Sequence, residues 1–391
     1  MGDILFGLKF DSSRINDVLV RIEAYRLSID GLMFPKEWQE TLRHLNIIRA
    51  IHGTTAIEGN QKTQEEVAQA LSVDKTVSLS KYAPDDAQIT NADNACHWIE
   101  DNFKTPRPLT EEMILHLHFL LTTKSDESDN APYRGVTPSI TVGSNSFGGV
   151  HRPPEGGENI HRLMKEFIGF MNCREVTSQP PVIQALVGHF FLVTLHPFGN
   201  GNGRTARCLE SLIMYQHGVN TYGFYSLSNY FYRNRDRYFT LLQKTRTENN
   251  WDITEFLEFG LKGFVDELSR IEKYIKEKIK RVMYRNLIYS ANKQKISARR
   301  RLLSDRETSM LLYILEQEPA IDPFVDIASP ELWFSEFVEN ALIKKLYADK
   351  SNKTLLRELI ALQTKGFIDY QKDNTKNDYK ISINFGAISR Y

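Results

Sequence analysis

The chain has 391 residues, 41% apolar and 25% charged, with 49 Lys/Arg against 49 Asp/Glu. That length exceeds one compact core and implies two or three domains of a globular protein. The zero net charge argues for neither a nucleic-acid nor a membrane partner, which leaves only a local patch as a route to either. Cys96, Cys173 and Cys208 are widely separated and lack metal-ligand spacing, so a reducing cytoplasm is the simplest location. The start, Met1-Gly2-Asp3-Ile4-Leu5, does not resemble a signal peptide, and no stretch of about 18 apolar residues predicts a membrane span.

In chain order, Ile4 to Leu8 reads as a short arm or strand. Ile15, Val18, Leu19 and Ile22 then recur at helical spacing. Pro35 interrupts, and Leu42, Leu45, Ile48 and Ile51 form a second stripe. Gly59-Asn60 marks a helix end or turn. Thr63-Gln64-Glu65-Glu66 predicts a capping box opening a helix through Val67, Ala70 and Leu71. Further helices are expected over 84–103, from Thr110 through Leu121, and over 158–172. Between them, Pro132-Tyr133-Arg134-Gly135 breaks the helical run, and Thr137 to Val150 predicts a short β-hairpin or a plain surface loop.

Pro180-Pro181 opens a helix that is apolar on nearly all sides, so it is expected at the centre of its domain. It ends at His196-Pro197. The next helix runs from about Gly203 to His217 with Gly218 at its end, and others follow near 228–248 and 251–284. A charged segment, Lys293 to Arg301, precedes helices over 306–317, 332–348 and 353–365. Two strands follow, Phe367 to Tyr370 and Tyr379 to Ile383. Three helices and a hairpin are the order of a winged helix.

The stretch that carries chemistry is His196-Pro197-Phe198-Gly199-Asn200-Gly201-Asn202-Gly203-Arg204-Thr205-Ala206-Arg207. Gly199, Gly201 and Gly203 permit close approach of backbone N–H groups to an anion, and the start of a helix adds positive dipole. Arg204 and Arg207 supply guanidinium forks suited to phosphate oxygens. His196 beside them can take a proton from an attacking hydroxyl. The parts point to transfer of a phosphorus-centred group from a nucleotide to a hydroxyl. The plain alternative is a glycine-rich turn with a core histidine.

This string closely resembles the signature of the Fic (Fido) family, His-Pro-Phe-x-Asp/Glu-Gly-Asn-Gly-Arg-x-x-Arg. The resemblance implies a mainly α fold: a Fic helical core over 106–284 with a short hairpin flap, an N-terminal helical region over 1–105, and a winged-helix domain over 285–391. It implies transfer of AMP from ATP to a Ser, Thr or Tyr hydroxyl of a target protein, or of the chain itself. By motif position, His196 resembles the general base and Phe198 the residue that holds the loop in the core. Gly201, Asn202 and Gly203 resemble the anion hole for the α- and β-phosphates, with Gly199 and Asn200 in the same loop. Arg204 would take the β/γ-phosphates and Arg207 the γ-phosphate, and the hairpin would dock the target as an added strand.

One position departs from the signature. Asn200 stands where the family has the acidic residue that helps to hold Mg²⁺, and a neutral amide is a poorer ligand for that ion. Metal choice (Mg²⁺ or Mn²⁺) and rate are therefore open. Upstream, Thr54-x-x-x-Glu58-Gly59 resembles the inhibitory motif of one class of Fic proteins, in which the glutamate pairs with the second arginine, here Arg207. An alternative reading is a nucleotide-sensing regulator that binds DNA or protein through the winged helix. Its tail has 17 Lys/Arg against 14 Asp/Glu, and Lys353, Arg357 and Lys365 on the candidate recognition helix are only mildly basic. Tyr230, Tyr232, Tyr238 and Asn234 are weak nucleotide-contact candidates, because aromatic residues at helical spacing more often belong to the core. No membrane partner is expected, and a homodimer is compatible with the sequence.

Overall fold

The computed structural model describes residues 6–72, 84–123, 133–136, 140–219, 223, 227–298, 300–317 and 331–391. Ile4 and Leu5 of the expected arm, Pro132, Thr137, Tyr222 and Arg299 lie outside the described residues. The chain divides into two compact units, Met1–Ser269 and Arg270–Tyr391. Both are built mainly from helices.

The first unit contains α1 (Asn16–Asp30), α2 (Lys36–Ile57), α3 (Gln64–Ser72), α4 (Pro84–Asn102) and α5 (Glu111–Thr122). The hairpin strands β1 (Val142–Ser144) and β2 (Gly149–His151) come next. They are followed by α6 (Glu158–Met171), α7 (Arg174–Thr177), α8 (Pro181–Leu195), α9 (Asn202–Gln216), α10 (Leu227–Arg233), α11 (Arg235–Thr247) and the start of α12 (Thr254–Lys293). Local chemistry explains many of the boundaries. Thr63 and Glu66 form the reciprocal capping box of α3, each backbone N–H bonded to the other's side chain at 2.8 and 3.3 Å. Thr110 caps α5 by accepting from the Met113 N–H. Pro181 occupies the first turn of α8, where a missing N–H costs nothing.

Helix α8 is buried from Val182 to Leu195 and packs against α9, α6 and their neighbours. Phe6 closes this core on one side, with its ring within 6.0 Å of the rings of Phe167, Phe170 and Phe191. Helix α2 is locked differently. Its Arg49 is paired with Glu267 of α12 at 2.8 Å, and both side chains are almost wholly buried. Arg233 of α10 reaches the same carboxylate at 3.1 Å. The expected hairpin is present, with Val142 opposite His151 and Ser144 opposite Gly149. It lies on α11, where Gly148 faces Thr240 and Gly149 faces Gln243.

Three sequence expectations change. The helix expected near 228–248 is divided at Asn234 into α10 and α11. The helix expected over 251–284 begins at Thr254 and continues to Lys293, because neither glycine nor proline interrupts it after Gly263. The helix expected over 332–348 is broken into a strand, β5 (Leu332–Trp333), and two short helices, α14 (Phe334–Glu339) and α15 (Ala341–Leu346). The break falls at Asn340, which adopts an extended conformation and caps α15 by accepting from the Leu342 N–H at 2.9 Å.

In the second unit, the charged segment forms a small hairpin of β3 (Lys295–Ser297) and β4 (Arg300–Arg301). Helix α13 (Asp305–Gln317) and α16 (Asn352–Thr364) then cover a sheet of β5, β6 (Ile368–Asp373) and β7 (Asp378–Ile383), in the order β5-β7-β6, all antiparallel. Tyr284, Leu303, Met310, Leu359 and Phe367 lie at its core.

The Arg49–Glu267 pair yields a stability prediction. Glu267→Ala leaves the buried guanidinium without its carboxylate and is expected to lower the unfolding free energy by about 3–5 kcal/mol. A urea midpoint equal to that of the unmodified chain would contradict this.

Candidate functional site

The loop between α8 and α9 begins with a strained residue. His196 caps α8 in the left-handed region, at φ 51° and ψ 58°, which a non-glycine residue adopts only when its surroundings impose it. Here they do so from both ends. The His196 N–H donates to Leu192 O at 3.0 Å, and its carbonyl accepts from Arg134 Nε at 2.7 Å. Arg134 also donates its backbone N–H to Pro197 O at 3.0 Å and a guanidinium N–H to Pro154 O. This buried arginine staples the loop, and the sequence reading had assigned Arg134 only to a break in a helical run.

The imidazole of His196 lies 3.4 Å from Val193 O through Nδ1. That contact places the proton on Nδ1 and leaves the Nε2 lone pair available. Burial lowers its pKa from 6.5 to about 4. Arg246 and Arg134 act in the same direction, against the Val193 carbonyl and Glu58. The ring is therefore neutral at pH 7 and fit to accept a proton.

Phe198 is 1% exposed and stacks on the His118 ring at 3.7 Å between centroids. His118 Nε2 in turn meets Asn200 O at 3.0 Å. Asn202 locks the loop from inside: its Oδ1 accepts from the Phe198 N–H at 2.9 Å and its Nδ2 donates to Phe198 O at 2.8 Å. The Asn202 side chain is thus committed to the loop, and what Asn202 can offer an anion is its backbone N–H at the head of α9. Gly201 sits at φ 74°, a turn that a side chain would resist. Gly199 and Asn200 are exposed at the rim.

Arg204 and Arg207 are both buried. Arg204 Nη1 donates to Leu121 O at the end of α5, at 3.3 Å. Arg207 binds the end of α2 through Nε to Thr54 Oγ1 at 2.9 Å and Nη2 to Thr54 O at 3.1 Å. One turn further along, Glu58 Oε1 accepts from Arg207 Nη2 at 2.6 Å. A Cβ on Gly203 would lie closer than 3.0 Å to both Glu58 Oε1 and Arg207 Nη1, so the carboxylate rests on the first turn of α9. Burial pushes the Glu58 pKa up, but Arg207, Arg204 and His196 together pull it below the ordinary value, so it stays anionic. A carboxylate at a helix N-terminus, held by a guanidinium, occupies the position that suits a phosphate oxygen.

The hairpin lies beside His196. His151 of β2 donates from Nε2 to Thr194 O at 2.9 Å, two residues before His196, and burial holds its pKa at about 3. The aromatic candidates separate. Tyr238 is buried, whereas Tyr232 is partly exposed and meets the His52 ring edge-on at 5.2 Å. Asn234 bonds Tyr230 O within its own turn.

The loop does not fit a protein-held Mg²⁺. Asn200 Oδ1 accepts from the Gly201 N–H at 2.7 Å, and the amide brings no negative charge. Among the described residues, no group of three or more His, Cys, Asp or Glu could hold a metal ion.

With this geometry in view, comparison with known proteins is informative. Residues 108–214 match the Fic/DOC family model. The chain carries a Fic/DOC domain. It is 27% identical over 201 residues to the protein adenylyltransferase Fic of Drosophila ananassae, covering 51% of this chain and 38% of that protein. It is 26% identical over 213 residues to the protein of the same name in Culex quinquefasciatus, covering 54% of this chain and 39% of the relative. The chain thus spans about two fifths of the length of these relatives. Among solved structures, a Fic family protein from Desulfovibrio desulfuricans superposes with a TM-score of 0.54 at 17% identity, over 95% of both chains. Fic-1 from C. elegans gives 0.52 at 18% identity, over 68% of this chain and 73% of that one. These two likenesses show the fold. No described helix is long and apolar enough to cross a membrane.

Because burial holds the His196 pKa near 4, its ring is expected to stay neutral from pH 8 down to about 5.5. Histidine ring NMR shifts followed across that range should not titrate for His196. A midpoint near 6.5 would contradict the buried geometry.

Proposed function

We propose that this chain is a self-inhibited protein adenylyltransferase that moves AMP from ATP to a Ser, Thr or Tyr hydroxyl of a target protein, or of itself. The observation that carries this reading is the Glu58 carboxylate on Arg207, 2.6 Å away, over the first turn of α9 and beside a neutral His196. The names of the curated relatives agree with it.

In the proposed reaction, the target hydroxyl approaches His196 Nε2, which takes its proton as the oxygen attacks the α-phosphorus of ATP. The bond from that phosphorus to the bridging oxygen breaks, and pyrophosphate leaves. The Asn202 and Gly203 N–H groups face the phosphates, and Arg204 and Arg207 balance their charge. Glu58 competes with the γ-phosphate for Arg207, so ATP seats out of line until Glu58 withdraws. Residues 1–105 would supply this inhibitory element and 106–284 the transferase core. The hairpin next to Thr194 would receive the target segment as an added strand.

We read 285–391 as a winged-helix module. Lys365, at the C-cap of α16, is tied to Glu307 at 2.6 Å, while on the helix Leu356 and Ile360 are exposed beside Lys353 and Arg357. That mixed face suits a protein partner better than a phosphate backbone. The second reading, a nucleotide sensor with little turnover, draws its support from Asn200, whose amide oxygen is engaged by Gly201. Divalent metal would then have to be carried by phosphate oxygens and water.

Glu58→Gly is expected to raise AMP incorporation at least about tenfold, read by mass spectrometry after incubation with ATP and Mg²⁺ or Mn²⁺. An unchanged yield in a variant that demonstrably binds ATP would refute self-inhibition. In that same background, His196→Ala should keep ATP binding and lose about 10²–10⁴ in rate. Transfer at the parent rate would remove His196 as the base.

A further inference from the structure

Helices α8 and α9 pack side by side and are joined by the loop that begins at His196. At their other end, a cavity of about 300 Å³ opens between the start of α8, the ends of α6 and α9, and the connection from α4 to α5. Gln184 on its wall and His196 are twelve residues apart, so about 18 Å of helix separates the cavity from the loop. That volume lies at the lower end of the range for small-molecule sites. The wall on the α4–α5 connection is fixed in place. Asn172, which caps α6, pins it by accepting from the Leu109 N–H and donating to Leu109 O, both at 2.8 Å. Arg107 stands between Pro106 and Pro108, which restrict the backbone around it. Its Nη2 donates to Asn102 O at 3.0 Å, and its guanidinium carbon lies 3.9 Å from the centre of the Phe103 ring.

The lining is divided by chemistry. Among the described residues that line the cavity, Arg107 is the only Lys or Arg, and none is Asp or Glu. Leu109, Met171 and Ile213 supply apolar surface. The α9 side offers acceptors. Gln216 is 7% exposed, and its buried Oε1 has no hydrogen-bond partner among the described residues. His217 places Nδ1 2.8 Å from Ile213 O. A carbonyl only accepts, so in the neutral ring Nδ1 carries the proton and Nε2 is an acceptor. A buried amide oxygen without a donor costs free energy that a ligand N–H recovers. The geometry points to a second small-molecule site in this cavity, for an organic carboxylic acid that carries an N–H donor on an apolar body, the class of N-acylated apolar amino acids. The carboxylate pairs with the Arg107 fork, the N–H answers the acceptors of Gln216 and His217, and the apolar body covers Leu109, Met171 and Ile213. Arg107 and Gln216 set the specificity of this site, which is separate from the phosphate-binding loop.

The test is calorimetry on the full chain with three probes. N-acetyl-leucine carries the charge, the N–H and the apolar body; N-acetyl-leucinamide lacks the charge, and 4-methylpentanoate lacks the N–H. The expected result is a dissociation constant below about 1 mM for N-acetyl-leucine and at least about tenfold weaker binding of the other two. No saturable binding of N-acetyl-leucine, or equal affinity for all three, would overturn the assignment. Saturating ATP should leave the constant unchanged. Displacement by ATP would place the acid on Arg204 and Arg207 instead and refute a second site. Arg107→Gln, at an exposed position, should weaken N-acetyl-leucine about tenfold. Gln216→Met should do the same without lowering the thermal midpoint, because methionine leaves no buried amide unpaired. An unchanged constant in either variant, or a lowered midpoint in Gln216→Met, would count against the site.

Discussion

The buried guanidinium of Arg207 is the constraint on which the first unit depends. A charge so far from water needs partners, and a segment distant in sequence supplies them. Thr54 and Glu58 are those partners, both at the end of α2. The same arrangement holds the end of α2 against the first turn of α9. Arg204 repeats the pattern on a smaller scale, by reaching Leu121 O at the end of α5. Two helix C-termini therefore converge on the N-terminus of α9, and their partial charges are matched by two arginines.

Much of the fold was legible in the sequence because its signals are local. The capping box of α3, the proline that opens α8 and the apolar circumference of α8 depend on residues within one or two turns of each other. The contact between Glu58 and Arg207 spans 149 positions. It was readable only because two short motifs imply it together. Arg134 had no such signal. Its role depends on the loop folding back so that His196 O, Pro197 O and Pro154 O surround it. The stack of His118 on Phe198 and the buried hydrogen bonds of His189 with Glu210 and Tyr238 were hidden for the same reason. A histidine in an apolar helix is a core residue until its neighbours are known. Asn340 was the converse case, a local capping signal inside a pattern that otherwise continued as helix.

Electrostatics also explains why the base sits where it does. A histidine at the end of a helix would ordinarily favour its charged form. Burial and the two flanking cations, Arg134 and Arg246, outweigh that tendency and keep the ring neutral. Arg246 is tethered to Thr194 through Nε at 2.9 Å, and Thr194 O also receives the hairpin's His151. Hairpin and cation thus share one anchor residue, two positions before His196. A segment docked on the hairpin would lie beside the histidine without any further rearrangement of the loop.

Glu58 follows the last residue of α2, and about a third of its side chain faces solvent. Its backbone N–H remains bonded to Thr55 O at 3.1 Å, independently of where the carboxylate points. Release can therefore occur by rotation about side-chain bonds, with the helix and the Thr54 contacts intact. Such motions are fast in exposed residues. Under the proposed function, closed and open forms would interconvert on every nucleotide encounter, and their ratio would follow the relative affinity of Arg207 for carboxylate and phosphate rather than a slow unfolding step.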